Sequence, residues 1–301
     1  MPGMPRPMIY SPVMRSTFFN PTMIRLFGLG LLSTGLWVAY SQFGNMPSKL
    51  DTVKIKDDLY VIHNDFVPGN TTALITNEGV ILVDDKFEID YANIVAEVKK
   101  ITNQPIKYVI NTHHHGDHSG GNAAAQKTGV TAIAHENALQ NMLDGKQPGV
   151  ANIGVGNHTR IRLGGKDAEI YYFGRSHTNG DISVYFPAQR TLSTGDMFTF
   201  GDATPQLIDY AGGGSAKEWP ATTANALRLD FDTVVPGHGP VTTKAELAKF
   251  LLSATTLRNR IHELIVAKKT RAEMVEVMKK EFHWGDLHVA SSLDGAMVEL
   301  R

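Results

Sequence analysis

The stretch Thr112-His113-His114-His115-Gly116-Asp117-His118 places four imidazoles and one carboxylate within seven consecutive residues. Burying so many polar groups without a positive partner is costly, so the pattern predicts a bound divalent metal. Imidazole nitrogen and carboxylate oxygen suit zinc and other first-row ions. A metal with fewer protein ligands than it prefers keeps room for a reactive water. The stretch therefore predicts a metal site with a reactive water. The segments around it are expected to form the scaffold that positions these ligands.

The spacing of these residues indicates how the backbone presents them. His113, His115 and Asp117 alternate, so in an extended or looping backbone they project to one side, whereas on a helix His113 and His115 would diverge by about 200°. The β-rich run 106–111 precedes the cluster and a Gly-Gly pair follows it, which predicts a loop beyond a buried strand. His118 breaks the alternation and would suit a second metal nearby.

Composition excludes several classes of protein. The chain has 301 residues and a formal net charge of -1, with no long basic run, so nucleic acid and anionic membrane surfaces are disfavoured as partners. It contains no cysteine, which excludes disulfides, thiolate zinc sites and cysteine nucleophiles. The expected partner is a small-molecule substrate.

The N-terminal segment differs from the rest of the chain. Arg25 precedes the apolar stretch 26–39, and Ala39-Tyr40-Ser41 offers a cleavage site with small residues. The stretch predicts a signal peptide, with an uncleaved membrane anchor as the alternative. Either interpretation predicts a periplasmic or secreted protein, anchored to the membrane only if the segment is retained. We therefore predict a signal or anchor with a short linker at 1–46 and one domain at 47–301.

Strand-like and helical patterns alternate along that domain, which predicts an α/β fold in layers. Between residues 145 and 156 the pattern lapses into a glycine-rich loop. Three capping-box patterns predict helix starts at Ser215, Thr243 and Thr270, each followed three residues later by glutamate.

Three later segments offer further metal ligands. His177 lies between two strand-like runs, Asp196 follows one in Thr194-Gly195-Asp196, and His238 follows another in Pro236-Gly237-His238-Gly239. Glycine beside a ligand lets the backbone turn tightly around an ion. Each segment alone is weak, but their order along the chain is informative.

With these residues in place, the sequence resembles the metallo-β-lactamase fold superfamily. The His-x-His-x-Asp-His signature matches at residues 113–118, and the later histidine, aspartate and histidine follow in the family's order. The resemblance covers about residues 50–254. It implies a four-layer αββα sandwich, here with C-terminal helices, and two metals at the edge between its two sheets.

The resemblance also implies a role for each ligand position. It assigns His113, His115 and His177 to a first zinc, Asp117, His118 and His238 to a second, and Asp196 to a bridge between them. Asp84 matches an aspartate that supports the ligand loop. Asp117 would also orient the attacking water as the catalytic residue. Iron or manganese could replace the two Zn²⁺ ions.

The resulting prediction is an extracytoplasmic dinuclear zinc hydrolase in which metal-bound hydroxide cleaves a small-molecule amide or ester, such as a β-lactam or lactone. A thioesterase or phosphodiesterase of the same fold is an alternative. So is a mononuclear iron dioxygenase or a metal-binding protein without catalysis. The chain has no Gly-x-Ser-x-Gly elbow that would favour a serine nucleophile.

Departures from known members bear on the substrate. The best-known β-lactamase subclass has cysteine where this chain has Asp196, and a substrate-gripping lysine shortly afterwards, where this chain has Met197-Phe198-Thr199. Both differences argue against that subclass. Phe66 and Tyr210 are candidate substrate contacts, and a packing role is the alternative for each.

Overall fold

The computed structural model describes residues 46–65, 67–200 and 207–301. The predicted signal or anchor, apart from Met46, lies outside the described residues, and so does Phe66. Within the described part of the chain, no helix has the length and apolarity needed to cross a membrane.

The first sheet has seven strands that follow one another in chain order. They are β1 Asp51–Lys56, β2 Leu59–His63, β3 Thr71–Ile75, β4 Val80–Val83, β5 Ile106–Ile110, β6 Thr131–His135 and β7 Ile153–Val155. Neighbours from β1 to β4 are antiparallel because short hairpins join them, whereas β4 to β7 are parallel because longer connections cross between them.

The second sheet has six strands in the order β13-β12-β11-β10-β9-β8. They are β8 His158–Leu163, β9 Lys166–Tyr172, β10 Ile182–Phe186, β11 Thr191–Gly195, β12 Thr233–Pro236 and β13 Thr242–Thr243. Only β11 and β12 pair in parallel among these. Their carboxyl ends therefore meet at one edge of the sheet.

The helices of the described residues connect and cover these sheets. They are a 3₁₀ turn at Glu88–Asp90, α1 Tyr91–Ile101, α2 Gly116–Ser119, α3 Asn122–Lys127, α4 Glu136–Asp144, α5 Trp219–Ala226, α6 Lys244–Val266, α7 Arg271–Phe282, α8 Asp286–His288, a π-helical turn at Val289–Leu293 and α9 Asp294–Glu299.

Three apolar layers hold the fold together, because burying apolar surface is the main stabilising term in folding. The layer between the sheets joins buried side chains of both, among them Leu59, Ile81, Ile110, Ile170 and Phe186. Helix α1 packs on the outer face of the first sheet, and the C-terminal helices pack on the outer face of the second. The predicted αββα sandwich with C-terminal helices is confirmed.

Some local predictions were wrong. The Thr270 capping box forms, but the Thr243 side chain makes no capping hydrogen bond at the start of α6. The Ser215 hydroxyl accepts the Glu218 N–H at 2.9 Å, as its pattern implied, and donates to Glu299 of the C-terminal helix, but the helix expected from Ser215 begins only at Trp219. The supposed loop before residue 156 contains β7, and β8, which directly follows it, was not anticipated.

Candidate metal centre

All seven predicted ligands follow strand ends at one edge of the sandwich. Residues 113–118 follow β5, and His177 lies between β9 and β10. Asp196 and His238 follow the parallel strands β11 and β12. The fold therefore brings together four chain segments that are distant in sequence.

The first group, the imidazole trio, consists of His113, His115 and His177. His115 Nδ1 lies 3.1 Å from His113 Nε2 and 2.9 Å from His177 Nε2. A tetrahedral zinc with Zn–N distances of about 2.0–2.1 Å separates its ligand nitrogens by roughly 3.3 Å. The trio therefore fits the ligand face of one such ion.

The second group, the mixed trio, consists of Asp117, His118 and His238. His118 Nε2 lies 3.1 Å from His238 Nε2, and Asp117 Oδ2 lies 3.3 Å from His238 Nε2 and 3.7 Å from His118 Nε2. These donor atoms lie close enough together to hold an ion. A carboxylate oxygen with two imidazoles suits a divalent first-row metal.

Asp196 lies between the two trios. Its Oδ2 is 3.6 Å from His177 Nε2, while its Oδ1 is 3.3 Å from His118 Nε2 and 3.4 Å from His238 Nε2. Oδ1 is buried and accepts no hydrogen bond. Since a buried polar atom without a partner is costly, a cation beside Oδ1 would account for its position.

The electrostatics of the two trios differ. Burial, together with the neighbouring His118 and His115, lowers the pKa of His113 well below its usual value, which favours the neutral imidazole that metals bind. Burial also disfavours the charged form of His238, but the carboxylates of Asp196 and Asp117 outweigh it and raise its pKa to about 10. The carboxylates of Asp196 and Asp117 therefore supply negative charge around His238, and a metal bound there would replace the proton on that imidazole.

Asp84, at the end of β4, supports the ligand loop as the resemblance implied. Its Oδ1 accepts the Thr112 backbone N–H at 2.7 Å, and its Oδ2 accepts His118 Nδ1–H at 2.8 Å. Because Nδ1 of His118 is engaged in this way, Nε2 is the nitrogen left to face the mixed trio.

Asp209 is a supporting residue that the sequence did not reveal. Its Oδ2 accepts His115 Nε2–H at 2.9 Å, and its Oδ1 accepts the Gly212 N–H at 3.0 Å. The only signal was its place before Tyr210 and three glycines. Nothing in that spacing indicates contact with a histidine 94 residues away in the chain.

The alternation argument was wrong for Asp117. It predicted that His113, His115 and Asp117 project to one side, but Gly116 begins the short helix α2, which turns Asp117 towards His118. His114 stays outside both trios and lies 3.4 Å from the Asn141 amide.

The surroundings of Tyr210 favour packing over contact with substrate. Its hydroxyl donates to Glu299 at 2.8 Å. Its ring lies so close to Gly295 that a Cβ there would meet it at 2.2 Å. Tyr210 therefore packs against helix α9.

With this geometry established, comparison with known proteins identifies the class. The model of the metallo-β-lactamase superfamily matches residues 64–238, which is more than half of the chain. The chain belongs to this superfamily. It is a metallo-hydrolase of that family.

Two characterised relatives and one solved structure illustrate the similarity. The metallo-β-lactamase type 2 of Bacillus sp. (strain 170) is 29% identical over 199 residues, 65% of this chain and 76% of the relative. Metallo-β-lactamase IND-1 of Chryseobacterium indologenes is 30% identical over 198 residues, 61% and 80% of the two chains. A metallo-β-lactamase structure from Pontibacter korlensis superposes with a TM-score of 0.62 at 23% sequence identity. The superposition covers 69% of this chain and 99% of the Pontibacter chain. The last match shows the shared fold.

Proposed function

We propose that this protein is a dinuclear zinc hydrolase that cleaves a small-molecule amide or ester, with a β-lactam as the first candidate substrate. The observation that carries the proposal is the Asp196 carboxylate, whose two oxygens are divided between the imidazole trio and the mixed trio. A site for a single ion would not need this division.

The donor set fits zinc. Five imidazoles and two carboxylates without any thiolate suit Zn²⁺, and iron or manganese would accept the same donors. When bound, such ions supply a water with a pKa lowered to about 7 and polarise a substrate carbonyl. The chain's own residues must then orient that water and admit the substrate.

The open side of the site lies at His115 and Asp117. Their side chains are 25% and 22% exposed, whereas that of His113 is fully buried and that of Asp196 is 11% exposed. Substrate therefore approaches beside His115 and Asp117. This exposure also leaves Asp117 accessible to water.

Asp117 is placed to accept a hydrogen bond from the attacking water. Burial opposes its ionisation, but His118 and His238 outweigh that effect and lower the pKa of its carboxyl group. The carboxylate is therefore ionised at neutral pH and acts only as an acceptor. In this role it aligns the water with the carbonyl carbon, as expected for the catalytic residue.

The names of the two relatives support a β-lactam as substrate. In this reaction water adds to the carbonyl carbon, the amide C–N bond breaks, and the nitrogen leaves with a proton. The segment Met197-Phe198-Thr199 after Asp196 contains no lysine, so this chain would hold the substrate carboxylate differently from the lysine-bearing β-lactamase subclass. A lactone or other small ester remains within the same proposal, because water attacks the same kind of carbonyl.

The proposed setting is extracytoplasmic, because the apolar stretch 26–39 resembles the core of a signal peptide. Thioesters and phosphodiesters are alternative substrates on the same fold. A mononuclear iron dioxygenase would use fewer of these ligands, so the close approach of His118 and His238 favours hydrolysis over that alternative.

A substrate panel tests the proposal. Chromogenic β-lactam, lactone, thioester and phosphodiester substrates are offered to zinc-loaded protein, with a chelated sample and Asp117→Ala as controls and oxygen uptake followed in parallel. We expect hydrolysis of the β-lactam or lactone, lost on chelation and in the variant. Oxygen uptake with one iron per chain, or no turnover of any substrate with two zinc ions bound, would contradict it.

A further inference from the structure

Lys86 is a lysine whose side chain is fully buried. It stands in the turn Asp84-Asp85-Lys86 that follows β4 and carries the support for His118. Lysine is almost never fully buried without partners, because removing an ammonium group from water is costly. Its contacts must therefore account for its position.

The Lys86 ammonium group donates two hydrogen bonds to the segment between β2 and β3. One goes to Asn64 Oδ1 at 3.2 Å, and a shorter one goes to the carbonyl of Gly69. Burial lowers the pKa of Lys86 to about 7, and the carboxylates of Asp90 and Asp84 limit this shift. The hydrogen bond from the ammonium group fixes the position of the Gly69 carbonyl.

Gly69 in turn lies directly against the mixed trio. Its N–H donates to the Asp117 carbonyl at 3.1 Å. A Cβ at this position would lie 2.3 Å from His118 Cε1, so only glycine allows the imidazole to pack there. The Gly69 peptide therefore touches two of the three ligands in this trio.

The next residue reaches the third ligand. The Asn70 N–H donates to the Gly237 carbonyl at 2.7 Å. Its side-chain amide donates to the carbonyls of Pro236 and Gly239, both at 2.9 Å. Asn70 therefore fixes the turn that carries His238 by three hydrogen bonds.

The backbone of the turn after β4 supports a functional role. Asp84 has φ 63° and Lys86 has φ 59°. This left-handed region is uncommon for residues with a side chain, and such residues concentrate at functional sites. The two strained residues hold His118 from two directions, Asp84 by a direct hydrogen bond and Lys86 through Gly69.

We propose that Lys86 is a positioning residue for the second metal ion: by fixing the Gly69 carbonyl, it sets the placement of Asp117, His118 and His238. This inference rests on the proposed function in one respect, namely that the mixed trio holds an ion. Lys86 does not touch that ion. It acts through the Gly69–Asn70 segment.

The test measures the affinity of each of the two zinc ions by competition with a chelator, using full-length protein and no substrate. Lys86→Met should weaken the second ion by about 10–100-fold, as loss of a supporting group typically does, and leave the first unchanged. Lys86→Gln keeps an N–H donor and should weaken the second ion less. If Lys86→Met does not fold, selective weakening in Lys86→Gln still supports the proposal, and unchanged affinity in it overturns the proposal.

Lys166→Met is the matched control. The Lys166 ammonium also donates to a backbone carbonyl, that of Ile75 at 2.7 Å, and pairs with Asp58. It lies at the end of β9 remote from His177, so both affinities should stay unchanged in this variant.

Three results with Lys86→Met would overturn the proposal. The first is that both zinc affinities in Lys86→Met equal those of the control, and the second is that both ions are weakened equally. The third is that the second ion binds more tightly, because this would mean that repulsion between the Lys86 ammonium group and the ion outweighs the positioning effect. Uptake of only one ion by the unaltered protein would refute the two-metal function itself. Because no substrate is present, a wrong substrate assignment does not affect the result.

Discussion

The carboxylate of Asp209 lies 2.9 Å from His115 Nε2 and leaves His115 Nδ1 facing the other two members of the imidazole trio. A carboxylate behind a metal-binding histidine selects the tautomer, fixes the ring orientation and raises the basicity of the ligand nitrogen. Asp209 therefore prepares His115 to bind through Nδ1, although it is 94 residues away in the chain.

Replacing Asp209 should weaken the first ion. We expect Asp209→Asn to reduce its affinity by about 10–100-fold, because the amide neither fixes the tautomer nor carries the charge. Chelator competition measures this loss, with Asp286→Asn, an exposed carboxylate remote from the trios in sequence, as the control. Equal affinities in the two variants would mean that the hydrogen bond to His115 is incidental.

Replacing Asp117 should remove both turnover and one metal. Asp117→Ala deletes an oxygen that lies 3.3 Å from His238 Nε2 and the acceptor proposed for the attacking water. Metal analysis should find about one zinc per chain, with hydrolysis lost and the circular dichroism spectrum retained. Full activity in this variant would refute the assignment of Asp117.

Gly69→Ala should disturb the second ion selectively. The added Cβ would lie 2.3 Å from His118 Cε1, and the hydrogen bond to Asp84 prevents the ring from moving away. Gly156→Ala is the control, because a Cβ there has nothing within 4 Å. Zinc content per chain should fall in the first variant only. Two tightly bound ions in Gly69→Ala would show that the mixed trio tolerates displacement of His118.

The two threonines that precede C-terminal helices should differ in their effect on stability. Thr270→Ala removes a complete capping box and should lower the free energy of unfolding by about 1 kcal/mol. Thr243→Ala should have much less effect, because its side chain makes no capping hydrogen bond. Chemical denaturation measures both changes, and equal losses would contradict the difference in capping.

Lys86 should make stability depend on pH. Its pKa is about 7 in the folded protein and near its usual, higher value in the unfolded chain, so the unfolded chain holds more protons between these values. The free energy of unfolding should therefore rise with pH above 7, relative to Lys86→Met, by at most about 1.4 kcal/mol per pH unit. Denaturation of both proteins from pH 6 to 9 tests this, and parallel curves would show that Lys86 does not titrate in this way.

Much of the site could be predicted from sequence because its ligands are dense and ordered. The cluster at residues 113–118 already combines histidines with a carboxylate, and the later ligands each follow a strand. Asp84 could be anticipated only from the resemblance to the superfamily, because an aspartate that follows a strand is otherwise an ordinary turn residue. Periodicity likewise anticipated most strands, since buried strands are continuous apolar runs.

The residues that escaped prediction act through long-range contacts. Asp209 and Lys86 lack any local pattern, and their roles depend on where the fold places His115 and Gly69. The capping box at Thr243 failed for a related reason, since packing decides whether a local pattern forms its hydrogen bonds.

Native mass spectrometry of metal-free protein titrated with zinc tests the central claim most directly. The division of Asp196 between the two trios predicts two zinc ions per chain at saturation, and one after His118→Ala. A single ion, or none, in the unaltered protein with zinc in excess would contradict the two-metal site.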